Sequence, residues 1–175
     1  MGASLVGFNC PAFESYGHEG EQGLNAPVSE RIATAYGAAL NYLLQADSHH
    51  VRLGDTTVVY WSEREDKGNC DLFSQLLASS FDTKDQNEIE ANLDSVMKSM
   101  AVGKQIALDH VDLGANFFVL GLAPNAARLS IRFFQKGTFG HFLSNICKHY
   151  EQLEVIHAPG ARKYLSPYVL LKEVE

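Results

Sequence analysis

Arg128, Arg132 and Lys136 are the residues whose types and spacing most invite chemistry, and that chemistry is recognition, not bond making. They recur every four residues where Leu129, Ile131 and Phe133 alternate with Arg128, Ser130 and Arg132, the period of a strand with one polar face. On a regular strand this puts the cations on one face about 13 Å apart, a pitch that suits a phosphate backbone. A guanidinium binds phosphate oxygens through paired hydrogen bonds. Asn125, in the turn chemistry of Ala123-Pro124-Asn125-Ala126, joins them as a candidate nucleic-acid contact. Phe134 falls on the same face by this count, placed either to stack on a base or to pack under a helix. The cations also read as ordinary solvent-facing strand residues, or Arg128 as the partner of an acidic helix.

Other chemistries find less support. The seven histidines include an adjacent pair, His49-His50, and two, His141 and His149, that stand about two turns apart on one helix. A metal site draws on three or four convergent donors, so surface or locally hydrogen-bonded imidazoles are expected, with no metal. Cys10, Cys70 and Cys147 are widely spaced and lack a C-x-x-C pair, which indicates reduced thiols. Ser29, Ser166 and Cys10 stand in no recognised nucleophile context, and no glycine-rich phosphate cradle occurs. No catalytic residue and no cofactor is expected; a metal-dependent nuclease is the remote enzymatic alternative.

Composition bounds the setting. A chain of 175 residues with 46% hydrophobic content fits one domain with an ordinary core. The net charge of −7 argues against a protein that simply coats DNA. The charge is uneven: residues 1–127 carry seven Lys and Arg against seventeen Asp and Glu, whereas residues 128–175 carry seven against four. No apolar run approaches the roughly 20 residues that span a bilayer. A cytoplasmic protein without a membrane partner is expected.

The elements that would position these residues follow from periodicity and turn chemistry. Ser4 to Asn9 reads as a strand leading into a loop from Cys10 to Pro27. Ser29 caps a helix whose Ile32, Tyr36, Leu40, Leu43 and Leu44 share a face, with Ala33, Ala35, Ala38 and Ala39 favouring close packing. Val51–Leu53 and Thr56–Trp61 flank Gly54-Asp55 as a hairpin with a primed turn, Trp61 packing against the core. Asp71 is expected to cap a short helix carrying Phe73, Leu76 and Leu77, and Asp85 with Glu88 to open a solvated outer helix striped by Ile89, Leu93, Val96, Met97 and Met100. A second hairpin joins 117–122 to the strand that begins at Arg128. Thr138 then caps an amphipathic helix through Phe139, Phe142, Leu143, Ile146, Tyr150 and Leu153. The sum is an α+β fold, antiparallel hairpins packed with amphipathic helices in one compact domain. The apolar run Tyr164 to Glu173 seeks a partner, which suggests a piece cut from a longer polypeptide.

Three segments carry a resemblance: Phe8-Asn9-Cys10-Pro11-Ala12-Phe13-Glu14-Ser15-Tyr16 with Gly23-Leu24-Asn25-Ala26-Pro27-Val28-Ser29; Leu53 through Trp61; and Leu120-Gly121-Leu122-Ala123-Pro124-Asn125-Ala126-Ala127-Arg128 through Phe134. In this order and spacing the chain resembles the type I-C large subunit of Cascade, the Dvulg-subtype CRISPR-associated family. Members are several hundred residues long, so the resemblance implies an internal portion of such a subunit. It also implies a ribonucleoprotein setting: other Cascade subunits, guide RNA, target DNA and a recruited helicase-nuclease as partners. There the large subunit helps recognise the protospacer-adjacent motif and hold the separated strands, while guide pairing reads the sequence. No catalytic motif comes with the resemblance.

Overall fold

A computed structural model of the protein describes residues 26, 28–64, 67–78, 94–96, 98–99, 110–126, 128–153 and 167–172. The expected strand at Ser4–Asn9, the loop from Cys10 to Pro27, the capping box Asp85–Glu88 and the start of the apolar C-terminal run lie outside them.

Chain order is α1 (Glu30–Gln45), β1 (His50–Leu53), β2 (Thr56–Ser62), α2 (Lys67–Ala78), β3 (Asn116–Asn125), β4 (Arg128–Thr138), α3 (Phe139–Gln152) and the short α4 (Pro167–Lys172). The strands form one antiparallel sheet in the order β1-β2-β3-β4, so the fold is α+β as the periodicity predicts. The first hairpin closes on Leu53 opposite Thr56, and Gly54 takes φ 58°, the left-handed conformation a primed turn demands.

One sheet face is the core face. Val58 and Tyr60 of β2 and Phe117 and Val119 of β3 lie buried there, beneath Phe73 and Leu76 of α2 and Phe139, Leu143 and Tyr150 of α3. The Tyr150 hydroxyl donates to the Leu76 carbonyl at 2.7 Å, so even the polar tip of this buried ring is satisfied and ties α3 to α2. Thr138 caps α3 as predicted, its Oγ1 accepting from the His141 N–H at 3.3 Å.

α2 departs from expectation. It begins at Lys67, which puts Asp71 inside the helix, exposed, and not at its cap. Tertiary contacts set the earlier start. Asn69 is fully buried, donating from Nδ2 to the Asp112 carbonyl and accepting on Oδ1 from the Asp112 N–H, both at 2.9 Å. Gly68 lies so close to the His110 carbonyl that a Cβ would collide with it. Of the expected outer helix, residues 94–96 and 98–99 are helical, and Val96 is buried in the core.

Candidate nucleic-acid interface

Among the described residues β4 is an edge strand, and its register decides where each predicted contact points. Side chains of paired residues share a face. Asn125 pairs with Arg128, Ala123 with Ser130 and Leu122 with Ile131, but Gly121 pairs with Phe133, so Arg132 is the extra residue of a bulge. Before the bulge Arg128 lies on the core side of the sheet plane. After it the phase inverts: Phe133 and Gln135 take that side, and Phe134 and Lys136 take the other. The single face shared by Arg128, Arg132, Phe134 and Lys136 that strict alternation predicts is therefore absent. The Phe133 ring covers Gly121, where a Cβ would strike it, and this contact holds the inverted phase in place.

The predicted residues form a tip and two separate sites. Asn125 is exposed at the hairpin end beside Arg128, and the next residue, Ala126, takes φ 53°. Arg132 donates from Nη2 to Asp55 Oδ2 at 3.3 Å, tying β4 to the β1–β2 turn; with the two side chains 55% and 68% exposed, that pair adds little stability. Lys136 reaches over the Phe118 ring, its Nζ 5.5 Å from the centroid, a cation–π contact.

On the face away from the core, Lys136 has aromatic neighbours that strand alternation within β4 does not reveal. Trp61 of β2 stands directly opposite Phe118 of β3, and Phe134 of β4 lies one step along the sheet. The ring centroids are 5.2 Å apart for Trp61–Phe118, 6.3 Å for Trp61–Phe134 and 6.4 Å for Phe118–Phe134. Trp61 is thus half-buried on the outer face, and not in the core as expected. The available signal was its parity: Trp61 is one residue out of phase with core-facing Tyr60. Beside Trp61 a cleft of about 830 Å³ opens between α1 and the sheet, walled by Tyr36, Leu40 and Leu43 of α1 and by Leu120 and Arg64.

Three histidines make local contacts. His49 Nδ1 contacts the Tyr60 carbonyl at 3.2 Å, His50 Nδ1 the Ala46 carbonyl at 3.1 Å, and His141 Nε2 the Asn145 amide at 3.2 Å. Among the described residues no three His, Cys, Asp or Glu side chains are grouped to hold a metal ion.

The family model for the CRISPR-associated protein Cas_Csd1 matches residues 1–175, the whole of the sequence. The chain belongs to the Cas_Csd1 family. No curated protein matches it. Among its described residues no helix is long and apolar enough to cross a membrane.

Proposed function

We propose that this chain is a non-catalytic module of the large subunit of a type I-C CRISPR surveillance complex. It contributes to target-DNA binding, through protospacer-adjacent motif recognition or stabilisation of the separated strands, and to assembly with other subunits, guide RNA and the recruited helicase-nuclease. The observation that supports the nucleic-acid part is the state of β4: residues 131–136 are all exposed, an unbroken run on a sheet edge that holds Arg132, Lys136 and two phenylalanines. An edge that no described strand pairs with presents backbone and side chains for a partner to cover. With a net charge of −7, the contact is confined to this edge and the hairpin tip at Asn125 and Arg128.

The test is binding of labelled short DNA to the chain at two salt concentrations, with and without Arg128→Ala and Arg132→Ala together. The double variant is expected to bind several-fold more weakly, with a log–log salt slope shallower by roughly 1 for each phosphate that the variant no longer neutralises. Unchanged binding in the double variant would overturn the assignment. The Arg132–Asp55 pair favours a second reading, a scaffold piece making protein contacts alone. It expects Arg132→Ala to lower the melting temperature slightly and leave DNA binding as it was.

A further inference from the structure

We propose that Trp61, Phe118 and Phe134 form a stacking platform for unpaired nucleotides, with Lys136 placed to take the phosphate. This rests on the nucleic-acid reading of β4 and adds the class of ligand: single strands, not duplex.

The first support is the geometry of the rings. Their planes are within 12°, 26° and 14° of one another, and the three centroid separations, 5.2, 6.3 and 6.4 Å, are nearly equal. Three near-parallel rings at the corners of a triangle make an offset-stacked cluster, each ring partly overlapping its neighbours. The core packs differently. There Phe73 meets Tyr60 and Phe117 at 59° and 57°, and Phe117 meets Phe139 and Phe142 at 60° and 65°, while Tyr60–Phe117 is near parallel at 25°. Tilted packing covers the π faces with neighbouring ring edges. Parallel rings share one orientation, the one in which a base would continue the stack.

Exposure and charge point the same way. Phe134 is 53% exposed, so its ring is open to a ligand. Lys136 pairs across the strands with Phe118 and its ammonium lies over that ring, so it stands at the cluster itself, where a phosphate attached to a base stacked on Phe134 could meet it. Glu63, two residues beyond Trp61, has its Oε2 engaged by the Asn116 amide at 2.7 Å. Trp61 also lines the cleft under α1, so a strand leaving the platform has a path past Tyr36 and Arg64.

Bases in a duplex are already stacked on each other, so ring faces on a sheet select unpaired ones, and the selection tolerates any base because each has a π face. A base stacked on such a ring gains roughly five- to hundredfold in affinity. DNA and RNA single strands share this chemistry.

Trp61 is the one tryptophan of the chain, so its fluorescence reports the platform directly. The 175-residue chain is titrated at low salt with a thymidine 12-mer, a uridine 12-mer and a 12-base-pair duplex, following Trp61 emission and the anisotropy of labelled copies. Single strands are expected to quench Trp61 and to bind at least about fivefold tighter than duplex, whichever of DNA and RNA binds better naming the source. Phe134→Leu should remove that preference with little change in melting temperature, and Phe134→Tyr, which keeps the ring, should restore it. Lys136→Gln should weaken binding and flatten its salt dependence yet preserve the quench. Single strands that bind without quenching, or equally well to Phe134→Leu, overturn the platform and leave the nucleic-acid reading standing. If no oligonucleotide binds, both fall.

Discussion

Cys147 is 4% exposed on the inner side of α3, and burial disfavours its thiolate, pushing the pKa from 9.0 up to about 11, with the Glu151 carboxylate adding to the shift. The folded thiol therefore keeps its proton over a pH range in which the unfolded chain loses it. The stability this represents is complete below about pH 9 and is lost as pH rises through 11, up to roughly 2–3 kcal/mol. Tyr60 and Tyr150, whose phenols burial also raises, extend the loss above about pH 10. Urea midpoints measured from pH 8 to 11 are expected to fall more steeply between 9 and 10 for the native chain than for Cys147→Ala. Parallel curves would show that the thiol does not titrate this way. At this scale the sequence is a good guide to residue type and a poor one to direction. Arg132 and Lys136 stand out as cations on an alternating strand, but which way each side chain points is a property of the strand register.

Caps and bulges decide register at the scale of the element. Ser29, Thr138 and Asp71 all satisfy the same rule, a small polar residue ahead of an apolar helical run. Ser29 and Thr138 cap as expected, each accepting from the N–H three residues on at 3.4 and 3.3 Å. Asp71 does not, because Asn69 and Gly68 dock onto the 110–112 segment and start the helix a turn earlier. Ser29→Ala and Thr138→Ala are accordingly expected to cost about 1 kcal/mol each, and Asp71→Ala to stay within about 0.5 kcal/mol, read as shifts in denaturation midpoint. A cost of a full cap at Asp71 would restore the shorter helix. The first hairpin was legible because Gly54-Asp55 is specific turn chemistry between alternating strands. The bulge at Arg132 was not, since Phe133-Phe134 places an aromatic residue on either face and fits both phases; the contact of Phe133 with Gly121, a tertiary fact, makes the choice.

Over the whole molecule, apolar periodicity located the helices but not how firmly each is held. α1 and α3 both read as amphipathic, yet Phe139, Leu143, Cys147 and Tyr150 of α3 are buried and α1 buries no residue at all. Its Leu40 and Leu43 face the cleft beside Trp61, and Ile32 and Tyr42 are 54% and 67% exposed. Periodicity records that a face is apolar and is silent on whether the surface it meets lies close enough to exclude water. A helix held by its Ser29 cap and half-buried contacts opens at a small fraction of the free energy needed to unfold the sheet. Native-state hydrogen exchange should therefore find the amides of α1 exchanging at least about tenfold faster than those of α3 and of β2 and β3, with an opening energy insensitive to dilute denaturant. If a single strand occupies the platform and runs on into the cleft, its addition should slow exchange in α1 selectively while α3 stays as it was. Equal protection of α1 and α3 without ligand would mean that the cleft closes in solution, and would remove the path proposed for the strand beyond Trp61.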